Sequence, residues 1–246
     1  MVGAIERKRK GLSKGDFEST KEFETRKKLA FAGEIFNGAR IEDKFAVVFP
    51  ILSYLDYPNG FSYKYDADTK QVLVSVKPEY KRINGFGPSH QHSMTSDPDA
   101  TFQFRLDRRL SRKRDYVGVN GFGAKINVEE IGWSVLGVVS APQDWYEPDG
   151  TETYRSGQIG KVEIDMGPSQ AASEIPKLKV LMVVQMTPPF IAYDSEHIAP
   201  TRDFPKDITT YSSYLHVRIL GMVFYSGITG EIFARLPSDF GVASME

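Results

Sequence analysis

The sequence predicts a mostly β protein, an antiparallel β-sandwich or open barrel with an N-terminal helix docked on the sheet. Three observations carry this expectation. Apolar and polar residues alternate over many short runs, Gly, Pro, Asn and Asp punctuate the chain between those runs, and helical signals concentrate in one segment near residues 20–32. The expected division is a basic flexible arm over 1–16 and one β-rich domain over 17–246.

The elements follow in order. Arg7, Lys8, Arg9, Lys10 and Lys14 make the first sixteen residues read as a solvated arm. In "FESTKEFETRKKLAFAG", Ser19 followed three residues later by Glu22 predicts a capping box, basic residues sit late, and Gly33 stands where a helix would stop. "KFAVVFPIL" reads as a buried strand that Pro50 pushes toward an edge or a bulge. "FSYKYDADTKQVLVSV" is a hairpin: Phe61, Tyr63 and Tyr65 alternate, Asp66 to Lys70 turn, and Val72, Val74 and Val76 alternate back.

Residues 84–100 are a polar loop, after which Phe102, Phe104 and Leu106 resume the sheet. "YVGV" and "AKINVEEIGWSVLGVVS" form the next strand pair. A second polar loop leads to "KVEIDM", where Val162, Ile164 and Met166 alternate with charged residues. "PSQAASEIPK" holds a short helix, "LKVLMVVQM" is a buried strand, and a proline-rich passage through Pro188, Pro189, Pro200 and Pro205 precedes a closing hairpin about Gly227 to Gly230.

Composition bounds the function classes. Lys and Arg number 31 against 32 Asp and Glu, so no overall field recruits nucleic acid or an anionic membrane. Cys is absent, which removes disulfides, thiolate nucleophiles and cysteine-ligated metals. No apolar run approaches the ~18 residues of a membrane span.

"YVGVNGFGAKINV" looks at first like the opening of a dinucleotide site. Gly121 and Gly123 would serve as the first two glycines of that fingerprint, but its third position falls on Ile126. The residues that follow alternate like a strand, so no helix N-terminus is expected there to hold a phosphate. The reading is therefore a glycine-containing turn or bulge, and no cofactor is expected.

Other candidate sites each have a plainer structural reading. His90 and His92 would place both imidazoles on one side of an extended segment, with Asp97 or Asp99 completing a metal site; a solvent loop is the plainer reading. Residues 105–114 gather Arg105, Arg108, Arg109, Arg112, Lys113 and Arg114, which would grip a polyanion, against the plainer reading of a solvated turn between strands. Trp145, Tyr146, Asp149 and Tyr154 combine flat apolar faces with carboxylates, a pairing suited to a sugar or peptide ligand. His216 falls in a strand, where a hydrogen-bonded structural role is the default, and His197 in an acidic loop.

"GDFESTKEFETRKK", "YDADTKQVLVSV" and "YVGVNGFGAKINVEEI" together resemble an uncharacterised β-rich domain of bacterial exported and envelope-associated proteins. The resemblance implies a periplasmic or secreted setting, with membrane association through a removed signal or lipid anchor, and no established chemistry. The expectation is thus a non-enzymatic module that binds a protein, carbohydrate or peptide. A metal-dependent hydrolase using His90 and His92, and a polyanion binder using residues 105–114, stand as alternatives.

Overall fold

A computed structural model describes residues 2–10, 12–53, 59–82, 100–119, 122–140 and 160–237. The described residues form thirteen strands, three short α-helices and one 3-10 turn over Ile175–Lys177. They are α1 (Val2–Arg9), α2 (Thr20–Phe31), β1 (Glu34–Phe36), β2 (Ala39–Arg40), β3 (Lys44–Pro50), β4 (Leu52–Ser53), β5 (Phe61–Asp66), β6 (Gln71–Val76) and β7 (Glu79–Arg82). Then come β8 (Ala100–Val119), β9 (Lys125–Ser140), β10 (Gly160–Asp165), α3 (Pro168–Glu174), β11 (Leu178–Ile198), β12 (Lys206–Ser226) and β13 (Ile232–Pro237). The fold is β-rich, as the alternation predicts.

Two sheets share the main core. The larger runs β3-β11-β12-β9-β8-β7, with β13 paired to the far half of β12; the smaller runs β10-β6-β5-β4. Most pairings are antiparallel, while β12 with β9 and β4 with β5 run parallel. The alternating valines explain the smaller sheet. Val72, Val74 and Val76 of β6 and Val162 and Ile164 of β10 all point to one side, where they meet Val180, Met182, Val184, Val217, Ile219, Met222 and Phe224 of the larger sheet.

Between the layers three rings interlock, Phe49 with Phe61 at 5.2 Å and Phe61 with Phe104 at 5.4 Å between centroids. Asn59 fixes the approach to β5. It donates from Nδ2 to the Pro50 carbonyl at 2.7 Å and accepts from the Phe61 amide at 3.0 Å, which satisfies a side chain that is almost fully buried.

Local signals are realised residue by residue. Ser19 and Glu22 form the reciprocal capping box, with the Ser19 amide donating to Glu22 at 2.9 Å and the Glu22 amide to the Ser19 hydroxyl at 3.2 Å. Strand β3 lies at the sheet edge with Pro50 as its last residue. The stretch 116–128 is answered by antiparallel β8 and β9, whose pairing runs to Val119 opposite Lys125. Gly123 has φ +80°, the left-handed value a tight turn requires of glycine. No helix follows it.

Three expectations are corrected. The first residues do not form an unstructured arm: α1 buries Ile5, which packs with Phe31, Met186 and Ile191. Residues 105–114 are not a turn but the middle of the 20-residue strand β8, because acids on β9 pair with their cations. Pro188 and Pro189 do not end their strand either. The chain bulges between Met186 and Ile191 and pairing with β12 then resumes to Ile198 opposite Ile208. Buried His216 supports the bulge, its Nδ1 lying 2.8 Å from the Pro188 carbonyl and 3.1 Å from that of Thr187.

Gly137 shows how tightly β8, β9 and β12 are drawn together. A Cβ there would lie 2.4 Å from the Phe104 carbonyl oxygen and 2.8 Å from the Tyr214 ring. Backbone and a buried ring cannot both yield. Gly137→Ala is expected to destabilise the protein by about 2–4 kcal/mol in urea unfolding. Gly123→Ala, in open space but at positive φ, is expected to cost about 1 kcal/mol; equal effects at the two positions would contradict this packing.

Candidate functional site: a sheet extension with two unlike faces

The larger sheet outruns the smaller one. Beyond the shared core, β8 from Asp107, β9 from Lys125 to Leu136, β11 from Ile191 and β12 up to Tyr214 continue side by side in the order β8-β9-β12-β11. Directly opposed residues in adjacent strands share a face, so the register sorts the side chains.

The face on the side of the smaller sheet is polar. Arg112 Nη1 meets Glu130 Oε1 at 2.7 Å, and Arg114 Nε meets the other oxygen of the same carboxylate. These two hydrogen bonds, Arg112 first, hold the Glu130 carboxyl below its ordinary range. Nearby, Asp207 accepts from the Tyr116 hydroxyl at 2.9 Å and lies 2.8 Å from His197 Nε2. The carboxyl of Asp207 is lowered by His197 and then by Tyr116, and the Tyr116 phenol is raised chiefly by its hydrogen bond to Asp207. Tyr116 belongs to β8, Asp207 to β12 and His197 to β11, so one carboxylate ties three strands across the intervening β9.

The opposite face has a different character. One row across the four strands reads Lys113, Ile131, Ile208, Ile198, and the next reads Leu110, Trp133, Thr210, Glu196. Ile198 is 53% exposed and Leu110 52%. Toward the hairpin tip, Val117 and Val119 continue the same face at 57% and 60% exposure. The Arg108 guanidinium lies 3.9 Å from the Trp133 ring centroid, and Glu129 sits between Lys113 at 2.7 Å and Lys206 at 3.7 Å. A sheet three strands or more wide usually covers such a face with a second layer. Here large apolar side chains meet solvent.

The six cations expected to grip a polyanion are therefore engaged along β8. Arg112 and Arg114 share Glu130, Lys113 has Glu129, Arg109 has Asp107 at 2.5 Å, Arg105 has Glu79, and Arg108 covers Trp133. Charges on the long outer edge of β8, which β7 flanks only over Ala100–Gln103, also discourage unwanted strand pairing. His90, His92 and Asp97 lie outside the described residues, as do Trp145, Tyr146, Asp149 and Tyr154. Among the described residues no group of three His, Asp or Glu side chains is placed to hold a metal ion.

A second feature lies near the N-terminus, where a shallow groove runs beside fully exposed Phe17 and the largely exposed Leu29 of α2. Arg26 closes one end by gripping Glu18 with two bonds of 2.8 and 2.7 Å, and Gly15 adds a backbone N–H at 3.1 Å. Arg26 first, then Gly15, pulls the Glu18 carboxyl down to about 2. The groove is a local clasp of the chain onto α2.

Of the extension, β9 and the 116–119 end of β8 are legible in the sequence, whereas residues 107–115 of β8, 191–198 of β11, 206–213 of β12 and the two faces are not. Ile131, Ile198 and Ile208 each stand near charged residues, and only the parallel register of β9 with β12 reveals that they form one row. No family model matches the chain, and no curated protein or solved structure is significantly similar to it.

The Asp207 tie has a pH signature. A carboxyl held below its unfolded value contributes fully above that value, near pH 4, and its contribution disappears as pH falls through the lower folded pKa. Asp207→Asn is therefore expected to be less stable than the wild type at pH 7, with the gap closing below about pH 4 in urea unfolding. A gap unchanged down to pH 2 would show that Asp207 carries no such load.

Proposed function

We propose that this protein is a non-enzymatic binding module of the bacterial envelope, working through the apolar face of the sheet extension. The observation that carries the reading is the row of half-buried Ile131 and Ile208 ending in exposed Ile198, beside exposed Leu110 and half-buried Trp133. Contiguous exposed apolar surface on a soluble domain marks a place where something docks. The rest of the outer sheet is not built this way: Val135, Ser212 and Tyr214 on the same face are buried.

The setting rests on the resemblance of "FESTKEFETRKK", "YDADTKQVLVSV" and "YVGVNGFGAKINV" to envelope-associated domains. Among the described residues no helix is long and apolar enough to cross a membrane. A polyanion ligand is the weaker reading, because the cations of β8 are already matched by acids and by Trp133.

The reading expects no turnover when the purified protein is screened against hydrolase and oxidoreductase substrates. One robust activity abolished by a point substitution overturns it. It also expects a defined component of a bacterial envelope extract, or the protein itself, to be held by the wild type and lost in Ile198→Lys, a change at an exposed position that leaves the core untouched.

A further inference from the structure

Four of the five asparagines stand before glycine, at positions 37, 59, 84 and 120. In such a pair the glycine has no side chain to keep its backbone nitrogen from the neighbouring carboxamide carbon, so the chain can react with itself. Asn84 and Asn120 lie outside the described residues. The other two pairs have opposite surroundings.

Asn37 and Gly38 are the two turn residues of the β1–β2 hairpin, at φ +49° and +82°, with Phe36 opposite Ala39. Positive φ at both positions is the type I′ turn that favours Asn-Gly. Both residues are exposed, and a Cβ on Gly38 would meet nothing within 4 Å. Among the described residues β1 and β2 form a sheet of their own, with an irregular register between Glu34 and Phe36. A ribbon of two such short strands is marginal in water, so the turn opens locally. The Gly38 amide donates to Glu34 Oε1 at 2.6 Å, but that carboxylate is exposed and water takes its place when the turn opens.

Asn59 is held instead. It is 4% exposed, its Nδ2 donates to the Pro50 carbonyl at 2.7 Å, and its Oδ1 accepts from the Phe61 amide at 3.0 Å. Gly60 is backed by the Phe104 ring, 2.6 Å from where a Cβ would stand. Swinging the carboxamide toward the Gly60 nitrogen breaks both hydrogen bonds inside the core and leaves their partners unpaired.

We propose that Asn37 is a site of self-modification by deamidation, and that the fold directs the reaction there and away from Asn59. The Gly38 nitrogen bonds to Asn37 Cγ and gives up its proton. The Cγ–Nδ2 bond breaks, and Nδ2 leaves with that proton as ammonia. Solvent water then opens the resulting succinimide at either carbonyl, which leaves an aspartyl or an isoaspartyl residue. The isoaspartyl form carries an extra main-chain carbon through a two-residue turn, and the Phe36–Ala39 pairing cannot absorb it. Ile35 and Ile41, on either side of the turn, pack against the cluster of Ile5 and Phe31, so the change reaches α1.

Peptide mapping by mass spectrometry tests the assignment on the full chain, aged at mildly alkaline pH both folded and in guanidinium chloride. Unfolded, the two pairs are expected to deamidate at comparable rates. Folded, Asn37 is expected to deamidate at least about tenfold faster than Asn59. Equal rates at the two sites in the folded protein, or an Asn37 slowed by folding as much as Asn59, overturns the proposal. Amide exchange over Val2–Arg9 reads the consequence: it is expected to quicken in aged wild type and not in Asn37→Gln aged alongside. An equal change in both proteins, or none in either, overturns the link to α1.

Discussion

Strand β12 holds the molecule together because it is shared. Along one edge β11 accompanies it from Ile208 to Ser226, past a bulge on β11 between Met186 and Ile191. Its other edge is divided: β9 runs parallel to it over Lys206–His216, and β13 antiparallel over Gly221–Tyr225. The change of partner marks the boundary between two kinds of structure. On the β13 side the sheet is covered by the smaller sheet and stabilised by buried Val, Met and Phe. On the β9 side it runs beyond that cover, held by backbone pairing and by ionic and apolar contacts between neighbouring strands.

That division explains the composition of β8. A strand inside a sandwich alternates one apolar face with one polar face, and Phe102 and Phe104 do so where the smaller sheet covers them. Past Arg105 the strand leaves the core, and its side chains find partners on β9 instead. Glu130 receives two arginines and Glu129 a lysine from either side, so charge that looks like a surplus in the linear sequence is balanced across the sheet. Two bulges, between Arg105 and Asp107 and between Leu110 and Arg112, twist the outer strand and interrupt its edge.

What could be read beforehand follows the range of each interaction. The Ser19–Glu22 box, the hairpin of β5 and β6 and the glycine turn after Val119 are local, so a short window contains all of their determinants. The cations of β8 read as a turn because their acids lie 16 to 18 residues away. Pro188 and Pro189 read as a break because proline cannot donate to a ladder, yet a bulge supported by His216 carries the strand past them. The candidate surface was invisible for the same reason: its isoleucines come from β9, β11 and β12, and they align only through one parallel and one antiparallel register.

The candidate surface exists only where the extension is ordered sheet and not a splayed set of strand ends. Amide hydrogen exchange read by mass spectrometry tests this most directly. Residues 129–134 of β9 and 206–211 of β12, which pair with each other outside the cover of the smaller sheet, should exchange orders of magnitude more slowly than an unprotected chain. Exchange of both segments at the unprotected rate, while Val180–Val184 and Val72–Val76 stay protected, would show that the sheet ends with the sandwich and that no such surface exists.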